Sequence, residues 1–186
     1  MPYGDLAKQR IQRFAAYEDM KKQKCTIEEM EEYERYLSRD IILYAGVDYG
    51  AILKAAEKEA DVIIWDGGNN DVPFYTPDLH IVIVDPHRVG NELVYYPGEE
   101  NVRMADVIII NKEDTSTKKN IEKLVANVKS VNRNATIIHT DSVISLDNPS
   151  VVKGKRVLVI EDGPTLTHGG MSYGAGVIAA RRAGAK

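Results

Sequence analysis

The 186 residues contain a single cysteine, Cys25. One thiol excludes a disulfide framework within the chain and any multi-cysteine metal site. Long apolar runs are also missing. The runs present, such as residues 107–110 and 157–160, are strand-sized and far short of the ~20 residues that span a bilayer. The opening residues, Met-Pro-Tyr-Gly-Asp, show no basic segment followed by an apolar one. Together these absences predict a cytoplasmic protein that does not cross a membrane. There is no excess of positive charge either: the formal net charge is −4. Mild acidity argues against a general nucleic-acid-binding face. Internal repeats, low-complexity tracts and obvious linkers are absent, and the length suits one α/β domain.

What is present falls into two textures. Residues 1–40 are charged and read as a helical extension. Thr26 opens Thr-Ile-Glu-Glu, a capping box with Glu29, which predicts a helix over 27–37. Residues 5–14 read as an earlier short helix with a weak apolar side. The remainder, 41–186, reads as a sheet-containing core. Six Ile/Val-rich strands are expected, at 41–45, 61–65, 79–84, 106–110, 136–139 and 156–160. Most lack polar alternation, which implies a sheet covered on both faces. Helices are expected over 49–59, capped by Asp48, over 118–132, and over 174–183. Strand–helix alternation predicts an α/β fold with a mainly parallel sheet flanked by helices.

Ligands of open α/β sheets bind beyond the carboxyl ends of the strands. After 62–65 comes Asp66-Gly67-Gly68-Asn69-Asn70-Asp71. An acid that ends an apolar strand is the Walker B arrangement, in which the carboxylate holds Mg²⁺. The residues after it let backbone amides approach a phosphate. A tight turn is the bland alternative for the same residues. After 107–110 comes Asn111-Lys112-Glu113-Asp114, the Asn-Lys-x-Asp pattern that reads guanine. The carboxylate of such an Asp accepts from guanine N1 and N2, a donor pair that adenine lacks. The Lys stem lies along the base and the Asn braces the loop.

After 157–160 comes Glu161-Asp162-Gly163-Pro164-Thr165-Leu166-Thr167-His168-Gly169-Gly170-Met171 and then a helix of small residues. A Gly-rich loop at a helix N-terminus makes an anion site. It is no triphosphate cradle, because Ala175 and Gly176 stand where a P-loop needs Lys and Ser/Thr. Close helix–sheet packing through Gly174 and Gly176 is the structural alternative. Asp66 and His168 are the catalytic candidates. His87 and Arg88 follow the third strand and read as phosphate contacts or as a solvated loop. His80 and His139, within expected strands, read as packed, and Cys25 reads as an inert thiol.

Several stretches, at 1–6, 44–49, 65–71, 103–106 and 161–171, resemble the cyclic 2,3-diphosphoglycerate synthetase family and its GTPase-type relatives. The resemblance implies a P-loop NTPase-like fold and nucleotide-driven closure of a phosphoanhydride in 2,3-diphosphoglycerate, with ATP or GTP and Mg²⁺. It implies Asp66 as the metal-holding acid and Asn111, Lys112 and Asp114 as the base-reading loop. Gly67, Gly68, Asn69, Thr165, Thr167, His168, Gly169 and Gly170 fall in phosphate- or substrate-binding positions. Members of the family carry a true P-loop upstream of the segment that this chain resembles. No Gly-x-x-x-x-Gly-Lys-Ser/Thr occurs in these 186 residues. The chain therefore reads as a carboxyl-terminal portion, inactive alone, acting on a small phosphorylated metabolite with a companion chain that carries the P-loop, or as a homo-oligomer. A non-catalytic binding or assembly module, or a truncated relic, is the alternative.

Overall fold

A computed structural model describes residues 6–68, 71–161, 166 and 170–186. They form two compact units: one comprises residues up to 68 with 73–76, the other 71–72 with the described residues from 77 onward. Among the described residues no helix is long and apolar enough to cross a membrane.

The first unit begins with strand β1 (Gln12–Phe14), followed by helices α1 (Tyr17–Lys22) and α2 (Ile27–Leu37), strand β2 (Leu43–Ala45) and helix α3 (Tyr49–Ala56). β1 pairs antiparallel with β2 in the register Gln12 to Ala45 and Phe14 to Leu43. The helix expected over 5–14 is therefore corrected: residues 6–11 form turns and bends, and 12–14 form a strand. Pairing with β2 lets Phe14 become fully buried against Met20 and Leu37, which outweighs a weak helical stripe. α2 begins where its capping box demands. The Thr26 side chain accepts from the Glu29 amide, and Glu29 Oε2 accepts from the Thr26 amide at 2.8 Å. Asp48 caps α3 by accepting from the Ala51 amide at 2.9 Å. Gly46 adopts φ +146°, and a Cβ there would stand 2.6 Å from the Arg10 carbonyl oxygen. Only glycine allows this approach, which lets the Val47 and Asp48 amides donate to the Gln9 and Arg10 carbonyls.

The second unit is built on β3 (Ile81–Val84), β4 (Val107–Ile110) and β5 (Thr136–His139), a parallel sheet in the order β3-β4-β5. Helices α4 (Asn91–Val94) and α5 (Gly98–Met104) join β3 to β4, α6 (Lys118–Val131) joins β4 to β5, and α7 (Ala175–Arg182) lies near the C-terminus. The expected α/β class and parallel sheet are both present. Val84, Ile108 and Ile110 pack with Val102, Leu124 and Val128 into one core. Asn132 at the end of α6 organises the return to β5. Its Nδ2 donates to the Val102 and Ala105 carbonyls at 2.9 and 2.8 Å, and its Oδ1 accepts from the Asn134 and Ala135 amides.

Two expected strands, 61–65 and 156–160, are not strands. They are irregular and unpaired, with Val62 and Ile64 77% and 84% exposed and Leu158 and Ile160 both 87% exposed. An apolar run becomes a strand only beside a neighbour that takes up its backbone groups, and among the described residues neither run has one. The sheet also departs from two-sided coverage. Val82, Val84, Ile108, Ile110 and Ile137 face the helices, whereas Ile81, Ile83 and Ile138 on the opposite face are exposed.

Leu124 has no exposed surface. Leu124→Ala is expected to lower stability by about 2–5 kcal/mol in urea denaturation. A loss below about 1 kcal/mol would show that α6 is not seated on the sheet.

Candidate nucleotide site

The carboxyl ends of β3, β4 and β5 bring together residues from three loops. After β3, Asp85 opens a 3-10 turn, Pro86–Arg88, and its Oδ1 accepts from the His87 amide at 2.9 Å. After β4, the Asn111 amide donates to the Val84 carbonyl at 3.1 Å. The Thr140 hydroxyl, just beyond β5, lies 3.1 Å from Asn111 Oδ1 and 3.2 Å from the Ile110 carbonyl, and donates its one proton to either. Asn111 thus stitches the ends of all three strands.

Lys112 stands in the left-handed region at φ +62°. That conformation costs a non-glycine residue about 1 kcal/mol or more and persists only where the surroundings enforce it. Its Nζ reaches Asp85 Oδ2 at 2.7 Å. Burial pushes the Asp85 carboxyl up, but the ammonium and the His87 amide outweigh it and hold the group below the usual carboxylate range. Glu113 starts the next 3-10 turn and pairs with His139 Nδ1. His139 is therefore exposed and paired with Glu113, not packed: it is the last residue of β5, beyond the helix-covered part of the sheet. His87 Nε2 lies 2.9 Å from Thr115 Oγ1, which itself reaches the Lys112 carbonyl at 3.1 Å. When Thr115 donates to that carbonyl, His87 serves as donor through Nε2.

Asp114 Oδ2 accepts from Arg182 Nη2 at 2.9 Å. The guanidinium, with help from the Ser142 amide, holds the Asp114 carboxyl below its ordinary range. Arg182 and Asp85 are site residues that sequence reasoning missed. Arg182 lies 68 residues from Asp114, and nothing in its sequence neighbourhood marks it.

The Gly-rich segment is described only at Glu161, Leu166 and from Gly170 onward; Thr165, Thr167, His168 and Gly169 lie outside the described residues. Gly170 is exposed at φ +71°. Glu161 Oε2 accepts from the Gly174 amide at 2.8 Å and Oε1 from the Val177 amide at 3.0 Å. The chain's own carboxylate thus takes two amides at the start of α7, where an external anion was expected. A Cβ on Gly176 would stand 2.8 Å from Val159 Cγ1 and 3.0 Å from Glu161 Oε1. Close packing, the structural alternative read for Gly174 and Gly176, is what the geometry displays.

Asp66, Gly67 and Gly68 belong to the first unit, and Asn69 lies outside the described residues. Asp66 Oδ2 accepts from the Tyr36 hydroxyl at 2.7 Å. This bond, with burial, raises the Tyr36 phenol. A Cβ on Gly67 would stand 2.4 Å from the Trp65 ring, so the glycine accommodates the indole of its own chain. Trp65 meets Phe74 edge-on at 6.1 Å, and Phe74 stacks on Tyr49 at 4.4 Å. Among the described residues no group of three or more His, Cys, Asp or Glu forms a metal cage. Asp66 fits the lesser demand of Mg²⁺, which takes one or two carboxylates and completes its shell with water and substrate phosphates. Cys25 packs against the first unit's core, and burial pushes its thiol up, as an inert thiol requires.

Residues 40–141 match the family model of the cyclic 2,3-diphosphoglycerate synthetase P-loop domain. The chain belongs to this family. Over 185 residues, all of this chain and 41% of the relative, it is 63% identical to a protein named arginine synthetase ArcE from Thermococcus kodakarensis. Over 113 residues, 60% of this chain and 26% of the relative, it is 29% identical to a cyclic 2,3-diphosphoglycerate synthetase from Thermococcus sibiricus. The chain therefore spans less than half the length of the curated relatives it matches. No solved structure matches it. The family's matched segment runs from just before β2 through β5, so it contains the whole Asn-Lys-Glu-Asp loop.

Two outcomes check this geometry. Asp85 titrates lower in the fold than in the unfolded chain, so its pairing with Lys112 stabilises above about pH 4 and is lost as pH falls through the depressed folded value. The stability gap between the parent and Lys112→Met, read from urea melts at pH 7 and pH 3, should narrow at the lower pH; a constant gap would refute the pairing. Gly176→Ala should cost about 1–3 kcal/mol by crowding Val159 and Glu161. A neutral result would show that α7 is not held by Glu161.

Proposed function

We propose that this chain supplies the nucleotide-base portion of a synthetase that couples ATP or GTP, with Mg²⁺, to ligation. The observation that carries the reading is the Asn111-Lys112-Glu113-Asp114 loop at the carboxyl edge of a parallel sheet, in a chain of a P-loop synthetase family. Phosphoryl transfer works by positioning and charge neutralisation. In this reading Asn111 braces the loop, the Lys112 stem flanks the base and the Asp114 carboxylate reads its edge. His87 and Arg88, on the loop that follows the neighbouring strand, contact phosphate in this reading. Asp66 supplies one hard oxygen ligand to Mg²⁺, the ion that neutralises charge on the transferring phosphoryl group. Thr165, Thr167, His168, Gly169 and Gly170 contact phosphate or substrate.

Whole-chain identity of 63% favours an arginine-forming ligase as the parent activity. The more distant relative and the family model favour cyclisation of 2,3-diphosphoglycerate as the second reading. In both, the triphosphate grip comes from a companion segment that carries the P-loop, and this chain turns nucleotide over slowly or not at all by itself. The exposed residues Ile81, Ile83 and Ile138 support contact with such a segment, since parallel sheets are ordinarily covered on both faces. The protein acts in the cytoplasm.

Thermal melts with Mg²⁺ and millimolar ATP, GTP, arginine or 2,3-diphosphoglycerate test this. Nucleotide should raise the midpoint, because ligand that binds only the fold stabilises it. Arginine or 2,3-diphosphoglycerate, whichever adds a further rise, selects the parent activity. Asp114→Ala should weaken GTP at least about tenfold, the cost of removing a charged hydrogen-bond acceptor, and leave ATP within about twofold. No shift with any of the four compounds would overturn the reading.

A further inference from the structure

The base-reading carboxylate of the second unit already has an occupant. Asp114 Oδ2 accepts from Arg182 Nη2 at 2.9 Å, and the two side chains are 20% and 46% exposed. The helix that delivers Arg182 is anchored at both ends. At its start, Glu161 accepts from the Gly174 and Val177 amides. At its end, the Gly154 amide donates to the Gly184 carbonyl at 2.7 Å and the Lys186 amide to the Lys155 carbonyl at 2.8 Å. The neighbouring Arg181 lies over the Tyr173 ring at 5.6 Å. Arg182, the last residue of α7, is thus presented to Asp114 by a fixed scaffold.

A guanidinium and the N1–H/N2–H edge of guanine offer the same thing to a carboxylate: a planar fork of N–H donors. Bidentate recognition of guanine needs both oxygens of Asp114, and Arg182 holds one of them. Adenine has no such fork and gains nothing from the carboxylate, so it is indifferent to that occupancy. We propose that Arg182 is a specificity-determining residue that competes with guanine for Asp114 and so flattens the preference between guanine and adenine nucleotides. This rests on the base-reading role of the loop proposed above. The competitor is weak enough to be displaced, because partly exposed ion pairs are marginal and screened by salt. It therefore tunes selectivity and does not block the site.

Isothermal titration of the full chain with GTP and ATP, in the parent, Arg182→Gln, Arg182→Lys and Asp114→Ala, tests the proposal. Arg182→Gln should bind GTP about two- to fivefold tighter, the weight of a marginal ion pair, with ATP unchanged. Arg182→Lys, which keeps the charge and loses the planar fork, should fall between parent and Arg182→Gln. It also provides a second, conservative variant should the glutamine variant fold poorly. Raising the salt concentration should shrink the difference between parent and Arg182→Gln. Unchanged or weaker GTP binding in Arg182→Gln, with Asp114→Ala still weakening GTP, overturns the role of Arg182 and leaves the base reading standing. Asp114→Ala without effect on GTP, or a parent and variants that all fail to bind nucleotide, overturns the base reading and this proposal together.

Discussion

The parallel ladder of β4 is the constraint on which the carboxyl edge of the sheet and its Asn-Lys-Glu-Asp loop depend. β4 is central, hydrogen-bonded to β3 on one side and β5 on the other over the same four residues. Its alternate residues Ile108 and Ile110 are wholly buried with Leu124 and Val128. A one-residue slip would turn both isoleucines away from α6 and move the start of the Asn-Lys-Glu-Asp loop with them. Burial on one face of β4 is therefore what fixes where Asn111 begins. Asn111 in turn closes the strand ends through Val84 and Thr140.

Beyond that edge the arrangement is held by side-chain pairs between residues that are distant in sequence: Asp85 with Lys112, Glu113 with His139, and Asp114 with Arg182. Each joins a residue of the Asn-Lys-Glu-Asp loop or its flank to a different element, so three consecutive residues are pulled in three directions. Lys112, the first of the three, stands in the left-handed region, and its side chain turns back to Asp85 beyond β3 while Glu113 and Asp114 reach His139 of β5 and Arg182 of α7.

Local chemistry was legible in the sequence, and pairing was not. The capping box at Thr26 and Glu29, the cap at Asp48 and the apolar tetrad 107–110 each carry their own cause within a few residues, and each element begins at or within one residue of the expected position. Val62-Ile63-Ile64 and Val157-Leu158-Val159 look just as strand-like, yet a strand exists only with a neighbour, and that information lies elsewhere in the chain. The same applies to residues 12–14, whose strand is created by Leu43–Ala45 and by the burial of Phe14. In the site, the type and position of Asn111, Lys112 and Asp114 could be read directly. Their partners Asp85, Thr140 and Arg182 could not, because only folding brings them close.

The start of α7 shows how one sequence signal can serve another end. Free amides at a helix N-terminus attract an anion, whatever molecule carries it. Here Glu161, at the end of an apolar run, is already tethered to the chain and loses little further entropy in reaching the Gly174 and Val177 amides. A free phosphate would have to displace a carboxylate whose local concentration is fixed by the covalent chain. Ala175 and Gly176, standing where a P-loop has Lys and Ser/Thr, bring no charge to offset that of a phosphate. Gly176 then has a reason of its own: it lets Val159 and Glu161 come close enough for the glutamate to hold the helix. That helix carries Arg182 to Asp114. Glu161 and Gly176 thereby bear on the Asn-Lys-Glu-Asp loop at a distance, by seating the helix whose Arg182 meets Asp114.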